Sequence, residues 1–244
     1  MDEPRSFSNC YEDRRRAVAY STLAFSNTYA LAYRDLKTLV LEHARGRRAL
    51  DFGCGTGRST RFLKSLGFTV TGIDIAEDML QIARERDPEG DYRLTPGDDL
   101  SAFPPGSFDL VLVAFTFDNI PALSKARILR DLKGLLAEGG VLVNVVSSPE
   151  IYTHEWASFT TKAFPENRNA SSGDLVRIIV TDHQDPRPVE DILSTDESYS
   201  ELFRAVGFDV AQVLRPLARG DEPYPWVSET KIAPWVLYAL KART

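Results

Sequence analysis

The sequence predicts an α/β fold, a doubly wound and mostly parallel sheet flanked by helices, and three observations predict it. Apolar strand-like runs alternate with helix-like periodicity through five units across residues 49–146. The run at 110–115 is apolar on both faces, as a central parallel strand is. The first strand also runs into a glycine-rich turn, Gly53-Cys54-Gly55-Thr56-Gly57, that opens a helix.

Taken in order, residues 1–10 read as loosely ordered, and 11–45 as two helices broken near Ser26-Asn27. Ala49-Leu50-Asp51-Phe52 is a short buried strand. Alternate glycines after it let the backbone turn sharply and approach a ligand. The first amides of the helix from Arg58 complete a hydrogen-bonding cradle. The second strand, 68–74, ends in Asp74, about twenty residues past the first glycine. That offset suits a carboxylate accepting the ribose hydroxyls of an adenosine ligand. A third strand at 91–95 leads into Pro96-Gly97-Asp98-Asp99-Leu100, and a loop at 103–109 precedes the central strand. A helix at 123–137 is expected to stop at Gly139-Gly140, before a fifth strand at 141–146. Right-handed crossovers then put ligands at the carboxyl ends of the strands.

From Ser147 the alternation fails. Residues 176–180 and 189–193 read as a hairpin, 197–206 as a helix ended by Gly207, and 208–214 and 235–240 as two further strands.

The turn is Gly-x-Gly-x-Gly, not the Gly-x-Gly-x-x-Gly of nicotinamide or flavin sites, and Asp51 precedes it. A pyrophosphate gains nothing from an acid there, whereas a ligand with an ammonium group does. Leu50 to Gly57, with Gly72-Ile73-Asp74-Ile75 and Asp78-Met79-Leu80, resemble the first two motifs of the class I S-adenosylmethionine-dependent methyltransferases. The resemblance covers residues 48–146 well and the last helix and strands loosely.

It implies a Rossmann-like, seven-stranded sheet with an antiparallel final strand, in a single domain over 1–244. Its parts would be an N-terminal helical cap (1–47), a cofactor-binding core (48–146), a substrate-covering insertion with its hairpin over the cleft (147–195), and a C-terminal helix and strand pair (196–244). It implies S-adenosylmethionine as donor and S-adenosylhomocysteine as product. The implied cofactor residues are Asp51, Gly53, Cys54, Gly55, Thr56 and Gly57 at the turn, Asp74, Ile75 and Met79 after the second strand, and Phe115 after the fourth. Asp98, with Asp99 and Leu100 beside it, fits the adenine-binding slot; a plain polar turn explains the same residues. Tyr20, as a further cofactor contact, and Tyr11, as a substrate contact, resemble cap tyrosines of small-molecule members, and would equally serve as core aromatics.

Methyl transfer from a sulfonium is an in-line displacement with an excellent leaving group, so positioning and desolvation carry most of the catalysis. A base is needed only where the acceptor must lose a proton. Asp118 is the candidate for orienting an acceptor, and also suits a helix N-cap. His154 is the candidate base, and also suits a surface loop. Phe117, Tyr152, Trp156 and His183, with Tyr11, are candidate substrate contacts. Asp118-Asn119-Ile120-Pro121 departs from the (Asp/Asn)-Pro-Pro-aromatic motif of enzymes that methylate base or glutamine nitrogens. No metal-ligand cluster is evident. The expectation is metal-independent transfer to N or O of a small, aromatic or heterocyclic molecule.

A net charge of −6, with acids and bases interspersed, argues against a nucleic-acid partner. Arg14-Arg15-Arg16, the sole tight basic run, reads as a solvated helix face. Two cysteines without disulfide or zinc spacing, and no apolar run of membrane-spanning length, suggest a cytoplasmic protein with no membrane partner. Cys54 reads as a small packing residue. Two other readings stay open: an adenosine-cofactor oxidoreductase, and a non-catalytic cofactor-binding or interaction module. Oligomeric state is not legible.

Overall fold

A computed structural model describes residues 14–23, 25–95 and 99–243. Its helices are α1 Arg14–Ser21, α2 Thr28–His43, α3 Arg58–Ser65, α4 Glu77–Arg86, α5 Ala122–Leu135 and α6 Asp196–Ala205. The strands are β1 Arg48–Phe52, β2 Thr69–Asp74, β3 Asp91–Leu94, β4 Phe108–Ala114, β5 Leu136–Ser147, β6 Phe159–Thr160, β7 Leu175–Val180, β8 Val189–Ile192, β9 Phe208–Leu214 and β10 Trp235–Ala242.

Seven strands form one sheet in the order β3-β2-β1-β4-β5-β10-β9. β1 pairs in parallel with β2 and β4, β2 with β3, and β4 with β5; β10 runs antiparallel to both β5 and β9. The doubly wound, Rossmann-like fold with an antiparallel last strand is therefore present. The chain moves outward from β1 to β3 and returns to β4, so the strand order reverses between β1 and β4. At such a switch point the loops beyond the carboxyl ends splay apart and leave a crevice. Phe52 pairs with Val113, which sets the glycine turn beside the segment after β4.

Alternation along β4 builds both cores. Leu110 and Leu112 join a cluster with Leu36, Leu39 and Val40 of α2, which recur at helical spacing. Val111 and Val113 face the opposite side, against Ile128, Leu129 and Leu132 of α5. Each such side chain is almost fully buried, a stabilisation of about 1.5–3 kcal/mol apiece.

Three local departures from expectation have physical causes. Gly139-Gly140 do not stop a helix: α5 ends at Leu135, and β5 begins with Leu136 paired to Phe108. The next pair is Leu110 with Val141, and Gly139 (φ 71°) lies in the stretch looped out between them. The hairpin of β7 and β8 gains a third antiparallel strand, β6, only two residues long. Finally, Arg16 is not simply solvated: its guanidinium donates to the Pro188 carbonyl at 2.5 Å, tying α1 to the β7–β8 loop. Cys10 and residues 1–10 lie outside the described residues. Among the described residues no helix is long and apolar enough to cross a membrane.

Candidate active site

At the end of β1 the amides of Gly53 and Cys54 both donate to the Ile73 carbonyl at 2.9 Å, folding the turn against β2. Gly53 (φ 72°) and Gly57 (φ 75°) are required twice over, by left-handed backbone and by close neighbours. A Cβ on Gly53 would lie 2.4 Å from Thr116 Oγ1, and one on Gly57 2.5 Å from the Tyr92 hydroxyl.

Asp74 closes the turn from the next strand. Its Oδ2 accepts from the Gly55 amide at 2.8 Å and its Oδ1 from the Ala76 amide at 2.9 Å. Each oxygen keeps a further lone pair. Burial raises this carboxyl's pKa, while the Ala76, Gly55 and Ile75 amides pull it back down. Asp51 sits deeper, 0% exposed, with Oδ2 accepting from Ser59 Oγ at 2.7 Å and Thr60 Oγ1 at 2.6 Å. Its Oδ1 has no hydrogen-bond partner among the described residues. Burial pushes the pKa of Asp51 up to about 6, against the two hydroxyls.

A cavity of about 360 Å³ runs from this turn across the ends of β1 and β4. Gly53, Gly55, Asp74, Ile75, Met79 and Thr95 line one end. Asp118, Asn119, Ser147, Tyr152 and Asp191 line the other, with Tyr20, Tyr29, Phe159, Ile178, Val180, Val189 and Trp235 also in its wall. Phe115 lies on the strand end between β1 and β5, in left-handed backbone (φ 60°) that a bulky residue rarely adopts. Its ring packs on Trp235 (4.8 Å between centroids) and Tyr29 (5.6 Å). A second, small space of about 30 Å³ is lined by Tyr20, Tyr33, Cys54, Thr56, Arg58 and Ser59 among others. The Arg58 guanidinium, itself buried, lies 4.4 Å from the Tyr29 ring centroid and 5.3 Å from that of Tyr33.

The far end is built from three elements. Asp118 lies in a 3-10 turn, Phe117–Asn119, where it accepts from Ser147 Oγ at 2.9 Å and from the Ser147 amide at 3.2 Å. It does not cap α5, whose N-cap is Pro121. Asp191, on β8, accepts from Asn119 Nδ2 at 2.7 Å and from the Tyr152 hydroxyl at 3.0 Å. Lys125 of α5 is 2% exposed behind them, its Nζ donating to Ser194 Oγ at 2.7 Å. Burial and mutual repulsion push the carboxyl of Asp118 upward, against Lys125 and Ser147. Burial raises that of Asp191, against Tyr152, Lys125 and Asn119, and lowers the ammonium of Lys125, which the two acids oppose.

Several candidates from the sequence lie elsewhere. Asp51 and Gly57 line neither cavity, so Asp51 meets Ser59 and Thr60 rather than an open ligand space. Asp99 is exposed and accepts from the Ser101 amide at 2.9 Å, while Leu100 is buried in the core; neither lines a cavity. Phe117 is 0% exposed in the α5-side core. Trp156 is buried with its indole N–H donating to the Ile151 carbonyl at 2.8 Å. His154 lies outside the cavity wall, its Nδ1 3.1 Å from the Glu150 carbonyl. His183 also lies outside it, accepting at Nδ1 from the Asp185 amide at 3.2 Å. Tyr11 and Asp98 fall outside the described residues. Sequence reading missed Asp191, Tyr29, Phe159 and Trp235. Strand alternation alone would have put Asp191 on the buried face with Val189, leaving Glu190 outward.

Residues 50–144 match the family described as "Methyltransferase domain". A demethylmenaquinone methyltransferase of Tropheryma whipplei (strain Twist) is 44% identical over 134 residues, 53% of this chain and 54% of that protein. A ubiquinone biosynthesis O-methyltransferase of Xanthomonas campestris pv. campestris (strain B100) is 38% identical over 101 residues, 40% of this chain and 41% of that protein. The chain thus spans about half, or less, of the curated relatives it matches. The fold is shared with an S-adenosylmethionine-dependent methyltransferase from Clostridium acetobutylicum: TM-score 0.62, 15% identity, covering 97% of this chain and 100% of that one.

Proposed function

We propose that this chain, whose residues 50–144 match the family described as "Methyltransferase domain", is a class I S-adenosylmethionine-dependent methyltransferase that moves a methyl group from S-adenosylmethionine to an N or O atom of a small molecule. The observation that carries this reading is the single cavity joining the Asp74 end to the Asp118 end past Phe115.

The residues fit the donor. Asp74 has free lone pairs for two ribose hydroxyls, and Ile75, Met79 and Thr95 offer flanking surface for an adenine ring. Gly55 leaves open space beside the turn, since a Cβ there would meet nothing nearer than Met79 Cε at 3.9 Å, and Arg58 beside the small cavity suits a carboxylate. When bound, the donor supplies an electrophilic methyl with its leaving group built in, so the transfer needs no Lewis acid. The protein's part is to aim and to keep dry. Phe115, Tyr29 and Trp235 exclude water where the two ends meet, and Asp118 orients the acceptor. The quinone names of the two relatives support a small-molecule acceptor. The proposed layout keeps the four parts named above in one domain, in a protein working in the cytoplasm without nucleic-acid or membrane partners.

The test is incubation of purified protein with methyl-labelled S-adenosylmethionine and a small-molecule extract. Label recovered in an acceptor supports the reading, and label that stays in the donor contradicts it.

A further inference from the structure

We propose that the acceptor is an amine on an apolar, aromatic-sized body, held at its nitrogen by the paired carboxylates of Asp118 and Asp191. This rests on the methyl-transfer reading above. The two acids come from different elements, the turn after β4 and strand β8, yet line one cavity while only 7% and 5% exposed. Each is fixed by neutral donors: Ser147 for Asp118, Asn119 and Tyr152 for Asp191. Fixed carboxylates aimed into one apolar space suit a ligand rich in N–H donors.

Charge decides between nitrogen and oxygen. The buried cation behind the pair, Lys125, donates to Ser194 and lies near the Tyr199 hydroxyl, and acts on both acids through its charge rather than through a hydrogen bond. Arg16 lowers the Asp191 carboxyl from outside while donating to Pro188, and Arg127 lies on the cavity wall. Burial raises both carboxyls although Lys125 opposes it, a shift that a further positive charge inside the cavity would offset. An ammonium supplies that charge. A phenol brings no positive charge: passing its proton to Asp118 only moves one negative charge onto the phenolate, and nothing in the exchange offsets the pair.

Asp118 takes one proton from the bound ammonium, exposing the nitrogen lone pair. That pair forms the N–C bond as the electrons of the C–S bond pass to sulfur, leaving a thioether and a methylammonium. The proton on Asp118 then goes to solvent. Tyr29, Phe159, Trp235, Ile178 and Val189 supply the apolar wall for the body of the acceptor. Tyr152 and Asp191 both lie outside the family match at 50–144, so the site can differ in acceptor from the relatives.

The test is calorimetric titration of the full chain, saturated with S-adenosylhomocysteine, using tryptamine and 2-phenylethylamine against tryptophol and 4-ethylphenol. The amines should bind and their hydroxyl counterparts bind at least about ten-fold more weakly, a comparison that needs no variant. Asp191→Asn and Asp118→Asn should each weaken amine binding about ten-fold or more without weakening S-adenosylhomocysteine. Hydroxyl probes binding as tightly as amines, amine binding unmoved by Asp191→Asn, or no amine binding to the loaded protein would each overturn the proposal. Failure of S-adenosylhomocysteine itself to bind would instead overturn the methyl-transfer reading.

Discussion

The side-chain amide of Asn119 donates to Oδ1 of Asp191 across 2.7 Å, joining the turn after β4 to the strand β8 that closes the cavity from above. This bond ties core and inserted sheet at the acceptor end. Asn119→Ala leaves a buried carboxylate short of one donor, and should cost about 1.5–3 kcal/mol of unfolding free energy. Urea titration of the variant checks this, and an unchanged midpoint would show that the bond does not hold the two parts together.

Asp74→Asn should weaken S-adenosylhomocysteine binding, because the amide nitrogen cannot accept a ribose hydroxyl or a backbone N–H. The expected loss is about 1.5–3 kcal/mol, read by calorimetry beside a thermal melt. Full affinity in the folded variant would remove Asp74 from the ribose site.

Gly53→Ala should abolish cofactor binding and destabilise the fold. The new methyl meets Thr116 Oγ1 at 2.4 Å, on a backbone with φ 72°. Thr116→Ala in the same chain removes the Oγ1 and Cγ2 contacts but leaves a Cβ 3.0 Å away and the strained backbone, so rescue should be partial. Full rescue would mean that only the contact mattered.

Stability should fall as pH rises from about 4 to 6 because Asp51 is pushed up to about 6 from its ordinary 3.8. The folded chain then holds a proton that the unfolded chain has released, so the contribution present below that window is lost through it. Asp118 and Asp191 act in the same direction. Asp185, held down to about 2 by Arg187, acts oppositely and only at lower pH. Asp51→Asn should remove up to about 3 kcal/mol of this fall. Chemical denaturation across the window checks it; parallel curves for variant and parent would contradict the assignment.

The glycine turn and Asp74 were legible because their geometry is local, fixed by spacing along two adjacent strand ends. The sheet was legible for a similar reason, since strands buried on both faces read as continuous apolar runs. The end of α5 was not: Leu136 leaves the helix to pair with Phe108, a contact from elsewhere in the chain. β6 was hidden because two residues carry no period. At the acceptor end, residue type misled. Phe117 and Trp156 have the right chemistry for a ligand wall but are buried in the core, and His154 and His183 each hold Nδ1 against local backbone outside the cavity wall. Asp191 reaches the site only because a strand far along the chain folds back over β4's end.

Titration of the purified protein with S-adenosylhomocysteine, with NAD in parallel, separates a methyl-donor site at Asp74 from a nicotinamide site. The first should bind in the micromolar range, on the order of −8 kcal/mol, and the second should not bind. Binding of NAD, or of neither by folded protein, would contradict the methyl-donor site.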